Sequence, residues 1–163
     1  MLVRRCITTG ALLVAATACA PASPHLTDTH AAAIRDSVQQ TLAQIQRYSA
    51  AGLRDSTARF YADTSVFRWV EDGRVQYRSV TEIREALAAL GSTVRFETTF
   101  EDTDVLPLAP GVASVVTRFE TRFVDSLAAA FTFGGMITMT LIHRPDGWRI
   151  LTGHASSAAG GRS

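Results

Sequence analysis

The sequence of 163 residues contains no lysine and no asparagine, so all 16 of its basic residues are arginine. We interpret this bias as a property of nucleotide composition. The absence of lysine still excludes a Schiff-base mechanism and a phosphate-binding loop that depends on lysine. The net charge is only +1, which gives no reason to expect a nucleic acid as a partner.

Cysteine and histidine are also scarce. The two cysteines, Cys6 and Cys19, both lie within the first twenty residues. A disulfide bond, a cysteine-ligated zinc ion and a cysteine nucleophile are therefore excluded from the folded domain. The four histidines show no H-E-x-x-H or comparable spacing of metal ligands. We predict neither a metal site nor a cofactor.

The first segment of the chain predicts an export signal. Arg4 and Arg5 precede a short apolar run that ends in small residues before Cys19, which is the organisation of a secretory signal peptide. The run is shorter than a membrane-spanning helix usually requires. Its ending, "ATAC", resembles the bacterial lipoprotein box, although Ala16 stands where that box more often has leucine. The resemblance implies cleavage before Cys19 and attachment of lipid to Cys19.

Two other interpretations of this segment stay open. Ordinary signal cleavage after Ala20 is one, although Pro21 would then follow the cut. A twin-arginine signal is the other, with flanking residues that fit poorly. On the lipoprotein interpretation, the chain divides into a signal peptide (1–18), a tether (19–28), a domain (29–157) and a disordered tail (158–163). We therefore expect an extracytoplasmic, membrane-anchored lipoprotein on the periplasmic side or at the cell surface.

The spacing of apolar residues predicts helices in the first half of the mature chain. Apolar side chains recur every three or four residues from 29 to 51, which indicates one face of an amphipathic helix. A second, shorter helix is predicted for 53–61. Ser79 and Glu82 form a capping box, which predicts a third helix that ends at Gly91.

Alternation of apolar and polar residues predicts strands in the rest. Asp72 and Gly73 form a two-residue hairpin turn between two short strands. About four longer antiparallel strands follow the third helix. Gly134 and Gly135 interrupt the longest of them, where we expect a bulge or a sharp bend. Helices followed by strands predict one α+β domain with its helices on one face of the sheet.

This order of elements resembles the nuclear-transport-factor-2-like superfamily and, within it, the SnoaL-like group. "STARFYADTSVFRWVEDGRVQYRSVTEIREAL" is similar to that group's short helix, Tyr-Ala-Asp junction, hairpin and third helix, and "DGWRILTGHAS" is similar to its closing strand. The resemblance implies a cone, in which a curved antiparallel sheet wraps around about three N-terminal helices. Ser79 and Thr152 depart from the pattern, since they stand where the group often has glycine and a first histidine.

The resemblance and the alternation together select candidate ligand-binding residues. A cone of this type encloses a mostly apolar pocket between the concave face of its sheet and its helices. The residues that we expect to line the pocket are Tyr61, Trp69, Phe96, Phe119, Phe133, Met139, Trp148 and His154. Most of them would serve equally well as packed core. His154 is the polar end of a strand face that also carries Trp148, Ile150 and Thr152, and it is equally a pocket group or a core histidine.

The superfamily includes both enzymes and binding modules, so the resemblance leaves the function open. We favour a domain that binds a small, mostly apolar ligand. The alternatives are a small enzyme of isomerase, dehydratase or cyclase type, with His154 as acid or base, and a structural oligomerisation domain. The faces predicted to line the pocket contain no aspartate or glutamate, which weakens the case for a carboxylate base. The charged opposite face predicts a solvated surface or, as in many relatives, the interface of a homodimer.

Overall fold

The computed structural model describes residues 26–91, 94–124, 127 and 129–158. The predicted signal peptide, Cys19, most of the tether and most of the tail lie outside these residues. The helices are α1 (Asp28–Ala50), α2 (Arg54–Ala58) and α3 (Val80–Ala89), and the strands are β1 (Arg68–Glu71), β2 (Arg74–Tyr77), β3 (Arg95–Ala109), β4 (Val112–Val124), β5 (Ala130–Arg144) and β6 (Gly147–Ser157). Three helices with a short hairpin among them, followed by four long strands, confirm the predicted α+β fold.

The helices begin where side chains can cap them. Thr27 precedes α1, and its hydroxyl accepts a hydrogen bond from the backbone N–H of His30 at 3.3 Å. Ser79 caps α3 in the same way, with the N–H of Glu82 at 3.2 Å, as its sequence predicts. The second helix is shorter than predicted and ends at Ala58. No helix among the described residues has the length and apolar character that crossing a bilayer requires.

The six strands form one sheet in the order β2-β1-β6-β5-β4-β3. Neighbouring strands are antiparallel, except that β1 runs parallel to β6. The curved sheet holds α1 against its concave face, and the core lies between them, with Val38, Met139 and Leu141 fully buried. This is the cone that the sequence resemblance implies.

The convex face of β3 and β4 is charged and exposed to solvent, as predicted. Its exposed charged residues include Arg95, Glu97, Glu101, Arg118, Glu120 and Arg122. Arg118 also forms an ion pair with Asp102 at 2.9 Å. Solvent can hydrate these side chains in the single chain, and the homodimer through this face stays a prediction.

A bulge in β6 corrects the predicted placement of His154. Thr140 pairs with Thr152, but the next residue of β5, Leu141, pairs with Ile150, so Leu151 is an extra residue in β6. Because side chains alternate between faces, one extra residue inverts the alternation that follows it. Gly153 is therefore buried on the concave face, and His154 is exposed on the convex face.

The glycine pair in β5 is not a bulge. The register between β4 and β5 runs without a shift through Gly134 and Gly135. A Cβ atom on Gly135 would lie 1.9 Å from the carbonyl oxygen of Ser156, and one on Gly134 would lie 2.6 Å from that of Phe119. Glycine is required here because the backbones of both neighbouring strands approach too closely for a side chain.

Candidate functional site

A cavity of about 270 Å³ lies between the helices and the concave face of the sheet. Most of its wall is apolar, and its acidic side chains, Glu71 and Asp72, lie on the side of β1 and the end of β6. The lining residues are Ile45, Ser49, Thr57, Tyr61, Trp69, Glu71, Asp72, Leu87, Phe96, Thr98, Phe100, Phe119, Thr121, Phe133, Ile137, Met139, Ile150, Ala155 and Ser157. Six of the eight residues selected from the sequence are among them; the exceptions are Trp148 and His154.

Trp148 is buried elsewhere. Its indole N–H donates a hydrogen bond to the hydroxyl of Ser37 in α1 at 2.8 Å. Its ring packs edge-on against His143, with centroids 5.2 Å apart. These contacts lie in a separate shallow groove near the start of α1, where Trp148 fixes α1 on the sheet. His154, on the convex face, has no access to the cavity.

Tyr61 reaches the cavity because the chain after α2 pairs with β6. The N–H of Ile150 donates to the carbonyl of Phe60 at 2.7 Å, and the N–H of Ala62 donates to the carbonyl of Ile150 at 2.8 Å. These two bonds hold the intervening Tyr61 over the sheet. Its ring meets those of Phe67 and Trp69 edge-on, with centroids 5.8 and 5.7 Å away. The aromatic contacts fix the phenol at the cavity wall.

Trp69 occupies the space that Gly153 leaves. The two residues are partners in the parallel pairing of β1 with β6. A Cβ atom on Gly153 would lie 2.1 Å from Cζ3 of the indole, so the ring lies directly on the glycine backbone. The indole N–H donates to Oε1 of Glu71 at 2.8 Å. A buried ring thus orients a carboxylate at the cavity wall.

Glu71 and Asp72 both line the cavity, which corrects the prediction of a pocket without aspartate or glutamate. Glu71 lies two positions after Trp69 on β1, and residues at this spacing share a face of a strand. Alternation is clear only in the long strands of the second half, whose apolar faces carry no acidic residue. Extending it to the short hairpin would have placed Glu71 beside Trp69.

The turn after Glu71 is attached to the end of β6. Asp72, with φ of 45°, occupies the left-handed position that a tight hairpin turn requires. Its Oδ1 accepts the N–H of Ser157 at 2.8 Å, and its Oδ2 accepts the hydroxyl of Ser157 at 3.1 Å. The N–H of Asp72 in turn donates to the carbonyl of Ala155 at 3.1 Å. These bonds hold the polar side of the cavity in place.

The hydroxyl groups of the cavity wall are hydrogen-bonded within the protein. Thr98 and Thr121 face each other with their oxygens 3.0 Å apart. Ser49 donates to the carbonyl of Gln46 at 3.0 Å, and Thr57 donates to that of Leu53, also at 3.0 Å. These hydroxyls are therefore satisfied by local bonding, and Glu71 and Tyr61 carry the polar character that a ligand meets.

Burial and charge keep Tyr61 protonated. The pKa of Tyr61 is raised far above its usual value, first by burial and then by the negative charge of Glu71 and by Tyr77. Burial also raises the pKa of Tyr77, with a smaller contribution from Glu71. At physiological pH, Tyr61 is therefore a neutral hydrogen-bond donor close to a carboxylate acceptor. Among the described residues, no group of three or more histidine, cysteine, aspartate or glutamate side chains is arranged to hold a metal ion.

A cone of three helices and a curved sheet around an internal cavity defines the nuclear-transport-factor-2-like fold, and the chain has this fold. Solved structures with the same fold include a candidate scytalone dehydratase from Novosphingobium aromaticivorans, with 6% identity, a TM-score of 0.69 and coverage of 78% of this chain and 85% of that one. No model of a known protein family matches the chain, and no curated protein matches it closely enough in sequence to count as a relative.

Two further structures have the same architecture. A nuclear-transport-factor-2-like protein of unknown function from Shewanella oneidensis is 20% identical, with a TM-score of 0.58 and coverage of 76% of this chain and 98% of that one. A ketosteroid isomerase-like protein from Erwinia carotovora is 16% identical, with a TM-score of 0.60 and coverage of 82% and 99%. At these identities the likeness is one of fold, so the function has to be argued from the cavity.

Proposed function

We propose that the domain binds a small, mostly apolar molecule that carries one hydrogen-bonding group, and that the cone cavity is the site. The observation that supports this most directly is the position of Glu71, a carboxylate oriented by a buried indole in a largely apolar wall. A mostly apolar wall that carries a small number of fixed polar groups is typical of sites for small molecules. A purely structural core would not retain a hollow of this size.

The volume limits the size of the ligand. An apolar cavity of about 150 Å³ admits benzene. The cavity here is about 270 Å³, so it suits a molecule of roughly two fused rings. A hydroxyl on such a molecule can donate to Glu71 and accept from Tyr61, so the ligand class that fits is a small aromatic or alicyclic alcohol.

We expect 2-naphthol to bind more tightly than naphthalene, and Glu71→Gln to remove most of that difference. A hydrogen bond to a charged acceptor contributes roughly 1 kcal/mol more than one to a neutral acceptor, so the variant should weaken 2-naphthol binding about fivefold and leave naphthalene unchanged. Calorimetry measures both affinities. Glu97→Gln, on the convex face, is the matched control.

Two results would contradict this proposal. If neither compound binds to the wild type, the cavity is not a site for ligands of this class. If Glu71→Gln and Glu97→Gln weaken 2-naphthol to the same extent, the carboxylate at the cavity wall does not recognise the hydroxyl.

A second function, proton transfer at carbon, is favoured by the same carboxylate. Glu71 is an acceptor for a proton next to a carbonyl group, and the neutral Tyr61 is a donor to the carbonyl oxygen. His154 cannot fill the role predicted for it, because it lies outside the cavity. Exchange of the acidic protons of 2-tetralone in D₂O, followed by NMR, tests this function. Catalysed exchange that Glu71→Gln abolishes would support it, and exchange at the uncatalysed rate would exclude it for this ketone.

We also propose that the domain is held outside the cytoplasm by lipid on Cys19, for which the support is the "ATAC" ending of the export signal. Cys19→Ala should stop maturation and remove the protein from the detergent-soluble membrane fraction of a bacterial host. Cys6→Ala, at the other cysteine, is the control and should fractionate like the wild type. Mass spectrometry that finds an unlipidated mature N-terminus at Ala20 or beyond would rule the proposal out.

A further inference from the structure

Beside the cavity, the concave face continues into an apolar hollow of about 470 Å³. We call it the vestibule, and it is lined by Leu90, Val94, Phe123, Ala129, Ala130 and Phe131. None of these residues lines the cavity. Phe131 is 54% exposed, which is unusual for a phenylalanine in a long strand.

The register of the sheet places the vestibule directly beside the cavity, and β4 and β5 form the floor of both spaces. Thr121 pairs with Phe133, and both line the cavity. Two residues further along the same face, Phe123 pairs with Phe131, and both line the vestibule. Two residues of a strand span about 6.7 Å, so the vestibule begins one side-chain row beyond the cavity.

The opposite wall, or roof, of both spaces is formed by the same helix, α3. Leu87 of α3 lines the cavity, and Leu90, which caps the end of the same helix, lines the vestibule. Residues three apart lie on one face of a helix. The floor and the roof of the vestibule are thus extensions of the floor and the roof of the cavity.

Stacked rings cross the boundary between the two spaces. The ring of Phe123 is stacked on that of Phe131 at 5.1 Å and on that of Phe133 at 5.9 Å. It also lies 6.0 Å from Phe96, another cavity residue. The hydroxyls of Thr98 and Thr121 lie in the cavity row next to this boundary, where they are hydrogen-bonded to each other, and the rings between the two spaces carry no polar group. An apolar chain can therefore cross by displacing rings alone.

From these observations we propose that the vestibule is a second subsite, which holds the apolar tail of the same ligand whose polar group lies at Glu71. This rests on the proposed function of the cavity and names the ligand class more closely: an elongated amphiphile with a hydroxyl at one end and a hydrocarbon tail. The order β1-β6-β5-β4 puts three strand spacings, about 14 Å, between Glu71 and the strand that carries Phe123. The register aligns Glu71 with Ala155, Ile137 and Thr117, and Phe123 lies six residues, or about 20 Å, further along β4. The two residues are therefore about 24 Å apart along the sheet, and a ligand that reaches both is a phenol with a long alkyl chain.

The test is a series of 4-alkylphenols, from ethyl through butyl and octyl to dodecyl, titrated by calorimetry below the concentrations at which they aggregate. In the wild type, affinity should rise about twofold to fourfold for each methylene group that enters the vestibule. Phe131→Ala should remove the gain from octyl to dodecyl and leave 4-ethylphenol unchanged. Because Phe131 is half exposed, the fold should tolerate this variant. Leu90→Ala, in the opposite wall, should act in the same direction.

Leu108→Ala is the matched control, because Leu108 is as exposed as Phe131 but lies near the other end of β3. It should leave the whole series unchanged. If 4-dodecylphenol binds no more tightly than 4-octylphenol, or if Phe131→Ala weakens 4-dodecylphenol and 4-ethylphenol equally, the tail subsite is wrong while the cavity site stands. If 4-ethylphenol does not bind at all, the cavity proposal itself fails.

Discussion

A Gly153→Ala variant is expected to lose about 3 kcal/mol of unfolding free energy, with a fall of roughly 10 °C in Tm. The added Cβ would lie 2.1 Å from Cζ3 and 2.4 Å from Cε3 of Trp69. The indole is 7% exposed and is bonded to Glu71, so it cannot move aside without cost. In a strand with room for a methyl group, alanine would instead be more stable than glycine by about 0.5–1 kcal/mol. A loss rather than a gain of unfolding free energy would therefore indicate that Trp69 lies directly against Gly153.

Thermal and urea unfolding measure this change, and a double-mutant cycle assigns it to the ring. In a Trp69→Leu background, the obstructing atoms are absent and Gly153→Ala should cost less than about 1 kcal/mol. His154→Ala, one position further and on the convex face, should stay within about 0.5 kcal/mol of the wild type. An equal cost of Gly153→Ala in both backgrounds would show that the ring of Trp69 is not the cause.

Much of the fold follows from periodicity in the sequence. The apolar face of α1, the capping box before α3 and the alternation along β3, β4 and β5 are local signals, and each depends on only a few neighbouring residues. They place the cavity phenylalanines and Met139 correctly, because β4 pairs with β5 without a register shift. The same signals predicted the architecture, since the order of helices and strands limits how they can be packed.

The prediction for His154 was wrong because a bulge reverses the faces that the following side chains occupy, and simple alternation does not take the bulge into account. The extra residue, Leu151, is an ordinary strand former, and nothing in its own character marks it. The available signal was Gly153, because a glycine inside a strand often indicates a bulge or a close approach of another group. Here Gly153 follows the bulge at Leu151 and is also approached closely by the ring of Trp69. Trp148 was placed correctly on the concave side of β6, but its contacts with α1 are long-range and could not be found from β6 alone.

Glu71 was missed for a different reason. Its strand has only four residues, too few for alternation to stand out, and the turn at Asp72 and Gly73 dominates the local sequence. The short hairpin reaches the cavity because β1 pairs in parallel with β6. This pairing joins residues that are far apart in the sequence, so local patterns do not predict it. The charge that matters most for the proposed site was therefore the hardest to find.

Gly135→Ala is expected to cost at least about 3 kcal/mol, and replacement of both Gly134 and Gly135 by valine should prevent folding. The added Cβ on Gly135 would lie 1.9 Å from the carbonyl oxygen of Ser156 in β6. That oxygen belongs to the backbone of a paired strand, so relief requires the strands to separate and their hydrogen bonds to break. Gly134→Ala should cost less, because its nearest obstruction, the carbonyl oxygen of Phe119, is 2.6 Å away.

The order of the two single variants tests the cause. If the glycines served only to let the strand bend, both alanine variants should cost similar, small amounts, because alanine restricts the backbone equally at either position. Close approach instead predicts a larger loss at Gly135 than at Gly134, with Thr138→Ala, exposed on the same strand, near the wild type. Chemical denaturation of the four proteins measures this order. Equal melting of Gly135→Ala and the wild type would mean that β5 and β6 lie further apart at this point than the structure places them.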